Sequence, residues 1–196
     1  MLTTEITHGT KLELGCGPSK QDGYVGVDNA EYPGVDIVGD ALEVLQGLPD
    51  GSLEEIYSAH FLEHVDDLDA YMAEMTRVLQ PGGRLVIVVP HFANPYFYSD
   101  PTHRRAWGLY TPAYYTSHHP WKRPVPVYGS GLPLRLDRTR LVFRSLRPFY
   151  VRYAWRKLIE PIANLTRGLQ EFYEENLTGL VGPYEIRFDL TKIDQQ

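Results

Sequence analysis

Apolar positions along the first half of the chain fall into short strand-like runs and one long helical spacing. Leu12 and Leu14 belong to a run at 11–14 that stops at Gly15-Cys16-Gly17, and further runs follow at 24–28, 35–38 and 53–59. Over 61–79 the spacing changes. Leu62, Val65, Leu68, Met72, Met75, Val78 and Leu79 recur at helical intervals, which predicts an amphipathic helix. Pro81-Gly82-Gly83 is expected to end it, and the nearly unbroken apolar run 84–89 suits a central parallel strand covered on both faces. A short helix at 41–48 completes the alternation, so 1–90 is expected to form an open α/β sheet. Gly17 and Asp28 are eleven positions apart, with Pro18, Asp22 and Gly23 between them. That is too few for an ordinary crossover helix, which is expected to be shortened or absent.

The second half is less regular. Pro112, Pro120, Pro124, Pro126 and Pro133 interrupt 111–134, which reads as an irregular lid or wall. Strand character returns at 135–145 and 184–193. Asp100-Pro101 reads as a helix opening, with Asp100 as N-cap and His103 in the first turn, where the helix dipole would keep an imidazole neutral. The expected layout is a binding core at 1–90, an acceptor-side cap at 91–183 and a closing strand at 184–196, all within one domain.

With 196 residues, 43% of them hydrophobic, the chain is long enough to bury a substantial core. Cys16 is the only cysteine, so an internal disulfide and a cysteine zinc cluster are excluded. With a polar N-terminal stretch and no long apolar run, this places the expected location in the cytoplasm. Charge changes the picture more. Residues 1–90 carry 16 acidic and 4 basic residues, a net of −12, whereas 91–196 carry 9 acidic and 15 basic, a net of +6. The first half is unsuited to a polyanion, and no RNA-binding motif is present, so nucleic acid is disfavoured as a partner. The basic half suits a phosphate, an acidic sugar or an anionic surface. Its densest part, 135–157, interleaves Arg135, Arg138, Arg140, Arg144, Arg147, Arg152, Arg156 and Lys157 with Phe149, Tyr150, Tyr153 and Trp155. A helix covering the sheet edge or a dimer contact is the first expectation for this stretch, and peripheral contact with a membrane the second.

Candidate chemistry gathers where the predicted strands end. A Gly-x-Gly turn lets the backbone approach a ligand, a carboxylate at Asp28 is placed to accept from a ribose diol, and a buried Glu13 needs a cation or donors. A dinucleotide site would want a third glycine where Lys20 stands. Five elements in order, Leu12-Glu13-Leu14-Gly15-Cys16-Gly17, Val27-Asp28, Gly39-Asp40-Ala41, His60-Phe61-Leu62-Glu63-His64-Val65 and Arg77-Val78-Leu79-Gln80-Pro81-Gly82-Gly83-Arg84-Leu85, resemble the Rossmann-like (class I) S-adenosylmethionine-dependent methyltransferases. A looser, local resemblance is to small bacterial members of glycan, envelope or metabolite biosynthesis. The resemblance implies a mostly parallel sheet with an antiparallel edge strand and S-adenosylmethionine as cofactor. It further implies that Glu13, Gly15, Cys16 and Gly17 surround the methionine part, that Asp28 takes the ribose hydroxyls, that Asp40 and Ala41 meet the adenine, and that His60 walls the cleft.

On the acceptor side, the segment 90–105 is expected to face the transferable methyl group. Tyr96 and Tyr98 would shape the pocket, Arg104 or Arg105 would hold an anionic part of the acceptor, and His103, then His91, with Asp100 beside them, are the candidates for removing a proton. The expected reaction is O-methylation of a small anionic acceptor such as a sugar or glycan precursor. The alternatives are a phenol or amine acceptor of secondary metabolism and a cofactor-binding protein without turnover. One rival motif remains: His60-x-x-Glu63-His64 on a helix would make a zinc hydrolase. Falling just after strand four, it reads instead as cleft wall, with Glu63 and His64 in the first helical turn and no metal expected.

Overall fold

A computed structural model describes residues 6, 8–126, 131–145 and 149–194. Five strands come from the first half, β1 (Thr10–Leu14), β2 (Val25–Asp28), β3 (Ile37–Val38), β4 (Leu53–Ala59) and β5 (Leu79–Pro90), and three from the second, β6 (Thr116–His118), β7 (Leu132–Val142) and β8 (Glu185–Lys192). They form one sheet in the order β3-β2-β1-β4-β5-β8-β7-β6. Pairs within β1–β5 are parallel. β8 runs antiparallel to both β5 and β7, and β6 lies parallel to β7. This is the Rossmann-like, mostly parallel sheet with an antiparallel edge, and 91–183 contributes two strands to it. The chain travels from β1 to β3 in one direction and from β4 to β5 in the other. That reversal opens a crevice outside the carboxyl ends of β1 and β4.

The step from β1 to β2 contains no helix. The turn is stitched instead: Lys20 Nζ reaches Asp36 Oδ2 at 2.6 Å, and the same oxygen accepts the Gly26 amide at 2.7 Å. The Gly26 amide, then Lys20, holds the Asp36 carboxyl below its ordinary range. Gly26 must lack a side chain, since a Cβ there would stand 2.6 Å from Lys20 Cδ and 2.7 Å from Cys16 Sγ.

Helix α1 (Ala41–Gln46) is capped by Asp40, whose carboxylate accepts from the amides of Leu42 and Glu43. Helix α2 (Leu68–Val78) begins later than the apolar spacing predicts, with Asp67 as its N-cap. Leu62 and Val65 are buried, but in a turn, so their spacing continues the helical pattern without belonging to it. Glu63 and His64 are therefore not helical. Nor does Pro81-Gly82-Gly83 act as a stop. The chain passes from Val78 straight into β5, and 81–83 are absorbed as an irregularity where the β4 register moves from Leu53↔Leu79 to Glu55↔Arg84.

Helix α3 (Tyr150–Ala163) inverts the usual rule. It packs against β7 through Arg156, Glu160 and Ala163, all buried, while Val151, Trp155, Leu158 and Ile162 are exposed. The charged face is satisfied: Glu160 accepts from Phe143 N at 3.1 Å, from Lys157 Nζ at 2.8 Å and from Arg140, and Arg156 donates to the Arg144 carbonyl. Helix α4 (Arg167–Asn176) follows and contacts α3. Of the basic stretch, Arg147 and the side chain of Arg152 lie outside the described residues. Among the described residues, no helix is long and apolar enough to cross a membrane.

Candidate functional site

The crevice is built from the ends of β1, β2 and β4. Leaving β1, the chain turns at Gly15 (φ 65°) and Gly17 (φ 53°), both in the left-handed region that favours glycine. The amides of Gly15 and Cys16 donate to the Val27 carbonyl at 2.9 and 3.2 Å, and Gly17 N donates to Asp28 Oδ2 at 2.8 Å. The other Asp28 oxygen accepts from Ala30 N at 2.9 Å. A carboxylate offers about four lone-pair sites, so Asp28 keeps acceptor capacity. A Cβ on Gly17 would meet nothing within 4 Å, whereas one on Gly15 would stand 2.6 Å from the Phe61 ring. The loop is thus packed beneath Gly15 and open above Gly17.

Glu13 is 5% exposed. Its Oε2 accepts the Gln21 amide at 2.7 Å, and burial raises its pKa against the opposing pull of that amide and of Lys20. Cys16 is buried, and burial, then the Asp28 and Glu13 carboxylates, push its thiol up to about 11. It is a compact neutral filler of the turn, not a nucleophile. Ala41 is buried and Asp40 exposed at the start of α1, with one Asp40 oxygen spent on the cap.

His60 stands at the end of β4 with φ 53°, the one non-glycine left-handed residue among those described. Its Nε2 lies 3.0 Å from Glu185 Oε2. Glu185, and then Glu63, push the imidazole up to about 9. Glu185 is 2% exposed and also takes Arg144 at 2.9 Å. Nothing in the local sequence marks Glu185: it is the first residue of a closing strand and meets the cleft only because β8 pairs with β5.

The acceptor side departs most from expectation. No helix follows Asp100-Pro101. Asp100 makes a local turn instead, accepting from the amide and the hydroxyl of Thr102 at 2.9 and 2.6 Å, so the dipole argument for His103 falls away. Arg105 donates to the carbonyls of Val65 and Asp66 at 2.8 and 2.7 Å, and Arg104 pairs with Asp66 at 2.7 Å. Both guanidinium groups hold the 63–66 turn rather than reaching into the cleft. His91 is fully buried. Its Nδ1 accepts from Ala93 N at 3.1 Å, which leaves Nε2 to donate to Glu174 at 2.9 Å. With both nitrogens spent, it braces the loop rather than receiving a proton. Buried Asn94 braces it too, donating to the Tyr184 carbonyl at 2.8 Å. Tyr96 and Tyr98 are exposed, with Phe97 buried between them.

His103 is different. Its ring stacks on Phe97 at 4.8 Å, and its Nδ1 lies 2.8 Å from the Phe97 carbonyl. A carbonyl only accepts, so Nδ1 carries a proton, and in the neutral ring Nε2 keeps its lone pair. The His64 ring lies 4.8 Å from that of His103. The rival zinc triad does not assemble: His60 turns to Glu185, and 61–64 form a turn, not a helix.

Residues 12–87 match a family model described as a methyltransferase domain. Over 51 residues the chain is 43% identical to a probable chloroplastic tocopherol O-methyltransferase of Oryza sativa subsp. japonica, a match spanning 26% of this chain and 14% of the rice protein. The structure is similar to a SAM-dependent methyltransferase from Archaeoglobus fulgidus, with a TM-score of 0.62 at 19% identity over 95% of this chain and 87% of the other. It is also similar to a Haemonchus contortus phosphoethanolamine N-methyltransferase 2 in complex with S-adenosyl-L-methionine, with a TM-score of 0.52 at 15% identity over 99% of this chain and 50% of the other.

Proposed function

We propose that this chain, which carries a Rossmann-like (class I) methyltransferase domain, transfers a methyl group from S-adenosylmethionine to an oxygen of a small anionic acceptor such as a sugar or glycan precursor. The observation that carries the reading is the glycine loop at the strand-order reversal, open above Gly17 and tied to the Asp28 carboxylate. The residues fit the cofactor. Glu13 offers a buried carboxylate for an amino group, Gly15 and Gly17 give backbone approach, and Asp28 has acceptor capacity left for two ribose hydroxyls. When bound, the cofactor would supply a sulfonium methyl carbon open to in-line attack by an acceptor lone pair, its carbon–sulfur bond breaking so that the neutral thioether leaves.

The protein's share is positioning, water exclusion and proton removal. Nε2 of His103 is the proton acceptor that fits, with Asp100 Oδ2 3.8 Å away. An oxygen acceptor is supported by the likeness to the rice O-methyltransferase, and an anionic one by the +6 of residues 91–196. Incubation with labelled methyl donor and separate pools of sugar, phenol and amine acceptors tests this. Label in the sugar pool is expected; label confined to amines would overturn the oxygen assignment.

A second reading concerns the exposed face of α3, for which we propose peripheral contact with an anionic lipid surface. Val151, Trp155, Leu158 and Ile162 form an apolar ridge, and beside it Arg138, Arg140 and Lys157 line an open cleft of about 550 Å³ with Pro161 and Leu165. Cations flanking a shallow apolar face are the pattern of an interfacial helix.

A further inference from the structure

Glu63 is the most anomalous side chain in the structure. It is fully buried, and neither carboxylate oxygen has a hydrogen-bond partner. An isolated buried carboxylate is costly, and such groups are as a rule paired or bound to a cation. The nearest cationic neighbour of Glu63, the His60 imidazole that Glu185 and Glu63 together push up, stays 3.5 Å away and hydrogen-bonds to Glu185 through its other nitrogen, so the Glu63 oxygens keep their lone pairs. Arg104, adjacent in space through its amide to the Glu63 carbonyl, sends its guanidinium outward to Asp66.

Two imidazoles face this carboxylate, and both are set up as lone-pair donors. Thr102 Oγ1 gives its proton to Asp100, which can only accept, so the 2.9 Å contact between Thr102 Oγ1 and His64 Nδ1 places a proton on that nitrogen. In the neutral ring His64 Nε2 then keeps the lone pair, 3.9 Å from Glu63 Oε1. His103 has the same arrangement through the Phe97 carbonyl. One ligand atom from each of Glu63, His64 and His103 lies within 4.8 Å of the others. Outer hydrogen bonds that fix the tautomer and turn the free nitrogen inward are the usual second layer of a metal site.

We propose that Glu63, His64 and His103 form a binding site for a divalent transition-metal cation. Two neutral imidazoles and one carboxylate suit zinc or ferrous iron and not magnesium or calcium. Bonds of about 2.0–2.2 Å require donors about 3.3 Å apart; the half-exposed His64 stands 3.9 Å from Glu63 and the three ligand atoms lie within 4.8 Å of one another, so His64 and His103 must both close in. The same half-exposure provides the way in. Three protein ligands leave a coordination position for an oxygen from solvent or from an acceptor. The site stands whether or not the chain transfers methyl groups. Its role rests on that reading: a cation on Nε2 of His103 would replace the free imidazole by lowering the proton affinity of an acceptor oxygen directly, the released proton passing to solvent.

The test is zinc binding by the purified, untagged full chain, followed by equilibrium dialysis with elemental analysis and by thermal unfolding. One zinc per chain is expected, with a raised Tm, and magnesium should do neither. His64→Ala changes a half-exposed side chain and should leave the zinc-free Tm within a few degrees while weakening zinc at least about 100-fold. Thr102→Val, which only removes the outer hydrogen bond, should weaken it about tenfold. S-adenosylmethionine binding, measured in parallel, should survive His64→Ala, so a failure of the methyltransferase reading is seen separately. Sub-stoichiometric zinc, or equal zinc affinity in wild type and His64→Ala, would overturn the site.

Discussion

Gly15 and Gly17 are both left-handed, yet the structure asks different things of them, and alanine at each position separates strain from crowding. A left-handed non-glycine residue costs about 1–2 kcal/mol. At Gly17 that is the whole effect, because the new methyl group meets nothing within 4 Å. At Gly15 the methyl would also stand 2.6–2.8 Å from three Phe61 atoms, and overpacking adds about 1–3 kcal/mol. Gly15→Ala should therefore cost about 2–5 kcal/mol and Gly17→Ala about 1–2 kcal/mol. With a urea slope of about 2 kcal/mol per M, the unfolding midpoint should fall by about 1–2.5 M in the first variant and by 1 M or less in the second. Cofactor affinity should show the reverse pattern relative to stability: Gly17→Ala, still folded, places a methyl group in the open crevice and should lose affinity. Equal midpoint shifts, or a Gly15 variant within 0.5 M of wild type, would refute the description of the loop as packed below and open above.

Other consequences can be checked more briefly. Glu160→Ala removes three donors' acceptor and strands the buried Phe143 amide, so chemical denaturation should show a loss of about 2–3 kcal/mol. Burial raises the Glu160 pKa, but Lys157, the Phe143 amide and Arg140 outweigh it and hold the group below its ordinary value. Its stabilisation is therefore complete above about pH 4.3 and is lost as pH falls through the depressed native value. Acid unfolding followed by circular dichroism should lose this step in Glu160→Gln, and an unchanged acid profile would contradict it. Sedimentation with anionic phospholipid vesicles should capture wild type, less so at high salt, but not Trp155→Asp. Failure to sediment, or a dimer in light scattering that Trp155→Asp dissolves, would assign the α3 face to a second copy instead.

What could be read from the chain was decided by whether local pattern and tertiary role coincide. β4 and the apolar run of β5 carry their burial in their own residues, and so does the glycine turn before Asp28. Elements whose meaning comes from elsewhere do not show it in their own residues. Leu62 and Val65 continue a helical spacing because a buried turn also needs apolar residues, so the onset of α2 at Asp67 was hidden. Asp100 has the right neighbour for a cap but spends its carboxylate on Thr102. Arg104 and Arg105 read as anion holders, and only the fold shows them holding the 63–66 turn. β6 has no alternation at all, and it exists because β7 offers an edge. In α3, helical amphipathicity is plain, but whether its charged or its apolar face turns inward depends on the donors that Glu160 finds, and the acceptor that Arg156 finds, in β7 and the segment following it. The histidine and glutamate after β4 were conspicuous in sequence, yet the partner that completes their geometry, His103, lies almost forty residues downstream.

Calorimetric titration of S-adenosylmethionine into the wild-type chain and into Asp28→Asn tests the central claim most directly. One site per chain is expected in wild type. Loss of a charged acceptor for the ribose hydroxyls is worth about 1.5–3 kcal/mol, so the asparagine variant should bind about 10–100-fold more weakly. Its unfolding midpoint should also fall, because its NH2 group faces the Gly17 or the Ala30 amide, but it should remain folded under the conditions of the titration. Absence of heat in wild type, or the same affinity in both proteins, would contradict the assignment of this crevice to the methyl donor.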